Sequence, residues 1–229
     1  MKLLFVTGTD TGAGKTTVTR AVTAALCARG LRVAALKPIE TGCSFGPMGL
    51  EAADGTLLRA AAGNWLSPGE VTPICFTTPV SPAAAAVAES RPIDLAALAE
   101  HIHTVAARAD VTLVEGAGGL LVPLDDRTLT ADFVARLGAR LVVVARDALG
   151  TINHTLLTLS EAARRALPVA GVIMSRVSPQ PGPDAASNAS AIARFGRAPM
   201  LGTLEHLPAG PRLAQLAAAA AKLDLDALL

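Results

Sequence analysis

The first seventeen residues constrain this chain more than any other stretch. Lys2–Val6 is a short apolar run, Gly8-Thr-Asp-Thr-Gly-Ala-Gly14 is a glycine-bearing turn, and Lys15-Thr16 stands at the head of a helical pattern. A strand that turns through glycines into a helix N-terminus is how a protein holds a nucleoside triphosphate. Backbone N–H groups and the helix dipole face the phosphates, the lysine reaches the terminal phosphates, and the hydroxyl takes a place on Mg²⁺. On this reading Gly12, Ala13, Gly14, Lys15, Thr16 and Thr17 are nucleotide-binding residues. A strict Walker A pattern would have glycine at position 9. This chain has Thr9 there, and its upstream glycine, Gly8, comes one residue early. The turn is a P-loop of a particular sub-type.

The rest of the chain supplies a scaffold for such a loop. Leu3–Val6, Val33–Leu36, Val111–Val114 and Leu141–Val144 read as buried parallel strands, with Val169–Met174 as a fifth and Met200–Leu201 as a sixth. Helical patterns lie between them at Thr16–Ala28, Asp54–Ala62, Asp94–Ala107, Ala131–Arg136, Ile152–Ala166 and Asp184–Phe195. This alternation predicts an α/β fold of the P-loop NTPase type, a doubly wound, mainly parallel sheet flanked by helices, with residues 1–229 as a single domain. The stretch Gly42–Pro92 breaks the rhythm with glycines and prolines and is expected to be an excursion carrying site loops, with one short helix inside it. Within it, Thr77–Pro82 is barred from a central strand by its prolines. The alanine runs Ala83–Ala86 and Ala217–Ala221 are expected to be ordinary helix.

Composition limits the function classes. Hydrophobic residues make up 51% of the 229, aromatics only 3%, and tyrosine is absent, so Ala, Leu and Val must fill the core. Net charge is +1 with no long run of either sign, which predicts neither a nucleic-acid partner nor a membrane surface. No apolar run approaches the ~18 residues of a membrane helix. The residues after Met1 run straight into the phosphate loop, so no signal peptide is expected. Cys27, Cys43 and Cys75 lack metal-like spacing and read as reduced thiols, so a cytoplasmic protein is expected.

In a doubly wound sheet the ligand lies beyond the carboxyl ends of the strands. After the second strand comes Lys37-Pro-Ile-Glu-Thr-Gly42, where Pro38 and Gly42 fix the backbone around a lysine that points into the crevice. Lys15 and Lys37 would put two positive charges around one phosphoryl group. Glu115-Gly-Ala-Gly-Gly119 places a carboxylate at a strand end, where a P-loop enzyme keeps an acidic metal partner, and its glycines let backbone approach a ligand. Asp54 begins a helix, and two readings stand side by side: a helix N-cap, or a third oxygen ligand with Thr16 and Glu115 for Mg²⁺. Gly150-Thr-Ile-Asn-His154 opens a further helix that Thr151 or Asn153 can cap, with N–H groups that attract an anion. His154 reads as a helix residue, and no metal-binding cluster of histidines is visible.

Gly8–Thr16, Lys37-Pro38, Thr41-Gly42, Glu115–Gly119 and Gly150–His154, in this order, together resemble the dethiobiotin synthetase family, and the resemblance runs from residue 2 to about 210. It implies an ATP-dependent cyclo-ligase of biotin synthesis that closes a cyclic urea on 7,8-diaminononanoate with CO₂, ATP and Mg²⁺. By the same resemblance Lys37, Lys15 and Thr11 would be catalytic. Thr11, Lys37, Thr41 and Gly118 would meet carbamate or diamine, and Gly118 would also lie at the nucleotide. Thr16, Asp54 and Glu115 would hold the metal. The family is a homodimer, and Gly150, Thr151 and Asn153 of the neighbouring chain match the segment that binds the substrate carboxylate.

The chain departs from the family pattern at Gly12, where familiar members carry Glu, and at Thr41, where Ser is frequent. Met174-Ser175-Arg176-Val177 stands where many members have an Asn-Asp pair on the adenine edge. Ser175 lacks an amide's paired donor and acceptor, so weaker ATP discrimination is expected, with CTP sharing the site. A division-site or partitioning ATPase would carry a second lysine early in the phosphate loop. Here that region reads Thr9-Asp10-Thr11.

Overall fold

The computed structural model describes residues 2–46, 49–180 and 182–229; Pro47 and Met48, inside the Gly42–Pro92 stretch, lie outside the described residues. The chain opens with β1 (Lys2–Gly8), α1 (Lys15–Ala28) and β2 (Val33–Leu36). The excursion follows, with β3 (Ile39–Thr41), β4 (Ser44–Gly46), β5 (Gly49–Glu51), α2 (Ala53–Ala61), α3 (Pro68–Val71), β6 (Ile74–Phe76) and α4 (Pro82–Ala88). Regular alternation then resumes as α5 (Leu95–Ala106), β7 (Val111–Gly119), α6 (Thr130–Leu137), β8 (Arg140–Arg146), α7 (Thr151–Arg164), β9 (Val169–Ser175), α8 (Ala185–Gly196), β10 (Met200–Leu204) and α9 (Leu213–Ala220).

Six strands form one parallel sheet in the order β10-β9-β8-β1-β7-β2. Their runs are apolar on both faces because helices cover both faces. One cluster packs Phe5, Leu36, Val114 and Leu141 against α5 and α6. The opposite one packs Leu4, Val6, Leu113 and Ile173 against α1 and α9. Fully burying one such side chain contributes about 1.5–3 kcal/mol. The chain leaves β1, skips a place to form β2, returns to β7 between them, and then crosses to β8 on the far side of β1. The carboxyl end of β1 is therefore the switch point at which a crevice opens.

The expected strands and helices are present, and two expectations need correction. First, β7 does not end at Val114. It continues through Glu115 to Gly119 because β1 runs alongside it, with Val6 opposite Glu115 and Gly8 opposite Gly119. Glu115 is thus held inside the sheet instead of at a free strand end. Second, the Gly42–Pro92 excursion holds three helices, not one. Ser67-Pro-Gly-Glu70 makes a capping box with proline in the first turn, and Ser81-Pro82 starts the alanine run in the same proline-led way. The excursion folds back so that β3 pairs β6 in parallel. Trp65 anchors it, donating from Nε1 to the Val33 carbonyl at 2.8 Å while the Arg32 guanidinium lies 4.2 Å from its ring. No helix among the described residues is long and apolar enough to cross a membrane.

Candidate active site

The phosphate loop leaves β1 at Gly8, is tied to the sheet by the Thr9 N–H donating to the Val144 carbonyl at 3.0 Å, and enters α1 through Gly14. Gly14 sits at φ 93°, a left-handed conformation that glycine adopts without strain. A Cβ there would also lie 2.3 Å from the Ser175 hydroxyl. The Lys15 ammonium is folded back over the loop, 3.5 Å from the Asp10 carbonyl. Burial lowers the Lys15 pKa, and the charge of Lys37 lowers it further against the opposing pull of Glu115, Asp54 and Asp10.

Lys37 is 5% exposed. Its ammonium donates to Glu115 Oε1 at 2.7 Å and to Asp54 Oδ2 at 3.0 Å. Burial alone would lower its pKa, but the charges and hydrogen bonds of Glu115 and Asp54 outweigh burial and hold it above the ordinary lysine value. Lys37 is therefore a fixed cation and does not snorkel to solvent. The same Glu115 oxygen accepts from the Thr16 hydroxyl at 2.9 Å, so the head of α1, the middle of β7 and the chain beyond β2 meet on one atom. The second oxygen, Oε2, is buried and finds no hydrogen-bond partner among the described residues. Asp54 does not cap its helix. Ala52 occupies the N-cap position, while the Asp54 carboxylate turns to Lys37.

These groups line one cleft of about 750 Å³, roofed by Pro79–Pro82. Thr11, Gly12, Gly14, Lys15, Thr16, Thr17, Lys37, Thr41, Asp54, Glu115 and Gly118 all face it. Ala13 is buried in the loop instead. Ser175 is buried behind Gly14. Arg176 is committed to Asp147 at 3.1 Å and Glu205 at 2.6 Å, so neither presents an amide-like edge. Gly150, Thr151 and Asn153 lie outside the cleft. Neither Thr151 nor Asn153 caps α7, whose N-cap is Gly150 in a left-handed conformation; Thr151 is buried and Asn153 exposed. A second recess of about 410 Å³ shares Thr11 and Val122 with the cleft and reaches Asp10, His154 and Glu161.

Sequence reasoning missed Glu40. It is 7% exposed, faces the cleft, and accepts from the N–H groups of Asp54 and Gly55 at 2.9 Å each. Burial raises its pKa, and those two N–H groups pull it back down. The available signal was its place three residues beyond Lys37. Among the described residues no group of three or more His, Cys, Asp or Glu side chains is arranged to hold a metal ion alone. The buried, unpartnered Glu115 Oε2, on the carboxylate whose other oxygen accepts from Thr16 and Lys37, still fits a hard cation that brings phosphate oxygens with it.

An AAA-domain family model matches residues 2–210. The ATP-dependent dethiobiotin synthetase BioD of Anaeromyxobacter dehalogenans is 46% identical over 195 residues, covering 85% of this chain and 86% of that protein. The protein of the same name from Bacillus licheniformis is 37% identical over 208 residues, covering 90% and 87%. Among solved structures, the septum site-determining protein MinD of Pyrococcus horikoshii, complexed with Mg-ADP, superposes with a TM-score of 0.59 at 16% identity, over 100% of this chain and 95% of that one. The MinC:MinD complex of Aquifex aeolicus gives 0.61 at 12% identity, over 100% and 94%. At such identities the structural likeness establishes the fold alone.

Replacing one carboxylate of the Lys37 pair leaves a buried ammonium with half its compensation. Glu115→Gln is expected to lower the unfolding free energy by about 3 kcal/mol without nucleotide, read as a lower urea midpoint at unchanged slope. An unchanged midpoint would mean that the pair contributes nothing to stability.

Proposed function

The chain belongs to the dethiobiotin synthetase family of P-loop proteins, and we propose that it catalyses the ATP-dependent closure of a ureido ring on 7,8-diaminononanoate with CO₂, releasing ADP and phosphate. It acts as one domain over residues 1–229. The observation that carries this reading is the meeting of Thr16, Lys37, Asp54 and Glu115 beside Lys15 in one cleft. A nucleotide-binding loop and a substrate-side lysine there share a single carboxylate.

The chemistry brings anions together. One amine of the diamine captures CO₂ as a carbamate, whose oxygen must attack the γ-phosphorus of a polyanion. Lys15 and Lys37 offset that repulsion and follow the charge as it moves from carbamate to phosphoryl oxygens, which is the differential stabilisation that speeds such a step. As the new O–P bond forms, the bond from the γ-phosphorus to the β-phosphate oxygen breaks, and ADP leaves a carbamic–phosphoric anhydride behind. The second amine attacks its carbonyl carbon, the C–O bond to phosphate breaks, and the ring closes. Thr11 and Thr41 hydrogen-bond the carbamate and diamine, while the backbone around Gly118 lies close to them. Thr16, Asp54 and Glu115 would hold Mg²⁺, which when bound supplies positive charge at the phosphate oxygens. Gly12, Ala13, Gly14 and Thr17 cradle the phosphates.

A homodimer completes the site. Leu121, Leu149 and Leu157 are exposed, Leu149 at 90%, and Leu121 and Leu157 border the second recess. An apolar face of this kind favours a second copy, whose Gly150, Thr151 and Asn153 would bring a helix N-terminus to the substrate carboxylate. The free thiols Cys27, Cys43 and Cys75 suit a cytoplasmic setting.

Phosphate release from ATP with bicarbonate is expected only when 7,8-diaminononanoate is present; turnover indifferent to the diamine would overturn the assignment. In the same assay Lys37→Gln should lower kcat by about 1,000-fold while nucleotide affinity stays near that of the parent. Retained activity would return Lys37 to a structural role. The base side carries a third expectation. With Ser175 behind Gly14 and Arg176 held by two carboxylates, neither offers an amide edge to the base, and hydrogen-bonding sites are what discriminate strongly. The kcat/KM for CTP should fall within about tenfold of that for ATP. Turnover confined to ATP would contradict this.

A further inference from the structure

Helix α2 brings Asp54 to Lys37, yet nothing local starts that helix. A helix leaves its first N–H groups without intrahelical acceptors, and a Ser, Thr, Asp or Asn at the N-cap normally accepts from the second or third helical residue. Here the N-cap is Ala52, with φ −85° and ψ 106°, and it has no side-chain acceptor. The second and third helical residues are Asp54 and Gly55, and their N–H groups donate to Glu40, one to each carboxylate oxygen, at 2.9 Å. Glu40 lies on β3, 14 residues before Asp54 and three after Lys37. The turn is also packed tightly. A Cβ on Gly55 would lie 2.0 Å from the Thr72 hydroxyl and 3.3 Å from the Ala52 Cβ. With Glu40 accepting from its N–H groups and the Thr72 side chain close against Gly55, the first turn of α2 presents the Asp54 carboxylate to Lys37 at 3.0 Å.

We infer that Glu40 is a positioning residue that serves α2 as a surrogate N-cap from a distant strand, setting the Asp54 carboxylate for the magnesium nucleotide. Both of its oxygens are spent on backbone N–H groups, so it acts through Asp54 and not on the reacting atoms. Its negative charge also suits the positive end of the helix. The inference rests on the proposed role of Asp54 at the metal. The same short run then supplies both the cation, Lys37, and the clamp that places the cation's partner.

The test is a loss and a local rescue. Glu40→Gln keeps the size but turns an NH₂ group toward one of the two N–H donors. The magnesium concentration giving half-maximal phosphate release should rise about tenfold, the scale of a lost cap, while KM for the diamine changes little. Adding Ala52→Ser puts a hydroxyl at the N-cap, within reach of the same N–H groups, and should return the magnesium requirement to within about threefold of the parent. An unchanged requirement in Glu40→Gln, or no recovery with Ala52→Ser, overturns the inference. Amide hydrogen exchange without nucleotide gives an independent reading: the N–H groups at 54 and 55 should lose protection in the single variant and regain it in the double. If Glu40→Gln does not fold, recovery of folded protein on adding Ala52→Ser supports the inference, and failure to recover overturns it. Asp54→Asn tests the metal role separately. If it leaves the magnesium requirement unchanged, that role fails, while the exchange at 54 and 55 still decides whether Glu40 clamps the helix.

Discussion

The structure of the site depends on one buried ammonium. Lys37 lies among side chains that would expel an unpaired charge, and it stays charged because Glu115 and Asp54 contact it directly. That requirement ties together three parts of the chain that are far apart in sequence. β7 must run past Val114 to hold Glu115 in register with β1, the segment after β2 must bend at Pro38, and α2 must start where Asp54 can reach. The Thr16 hydroxyl joins the phosphate loop to the same carboxylate. The charges of the cleft are thus held in place by contacts with one another.

Strand order explains why the charges alternate. β7 lies between β1 and β2, so the carboxylate it carries sits between the lysine delivered through the β1 loop and the lysine delivered beyond β2. Neighbouring strands are about 4.8 Å apart, which sets the ends of β1 and β2 about 10 Å from each other with the Glu115-bearing strand between them. Two lysines without Glu115 would repel across a poorly solvated gap, and the Lys15 pKa, lowered first by burial, is lowered further by that repulsion. The septum-site proteins share this scaffold at 12–16% identity. A scaffold fixes where strands end, and the side chains placed at those ends decide the chemistry.

Much of this was legible in the order of residues. The six strands stand out because strands covered on both faces are continuous β-branched runs, and the phosphate loop declares itself by glycine spacing and Lys15-Thr16. Lys37 and Glu115 were readable as residues next to strand ends. What escaped was decided by distant partners. The reach of β7 depends on β1 beside it, and that Asp54 does not cap its helix depends on a distant acceptor for its own N–H. The one local sign of Glu40 was its place three residues beyond Lys37, and its role stayed hidden because the groups it serves begin 14 residues later. The helix at 68–71 did carry a local signal, the Ser67-Pro68 start, hidden among prolines that also mark loops, whereas the alanine run at 83–86 was legible as helix.

The early glycine of the phosphate loop acquires a physical purpose from the geometry. With the glycine at position 8, the next three residues carry side chains, and Thr11 lies on the wall shared by the cleft and the second recess. A strict P-loop with glycine at position 9 would take the Thr9 side chain out of the second recess. The proposed substrate has its reacting amines at one end and a carboxylate at the other, so it has to cross from the lysine-lined cleft toward an anion site elsewhere. Thr11 and Val122 stand where such a molecule would pass, the first offering a hydrogen bond and the second an apolar surface for the aliphatic chain. The same loop that turns its backbone to a nucleotide can in this way present its side chains to the acceptor, holding both reactants on one rigid turn.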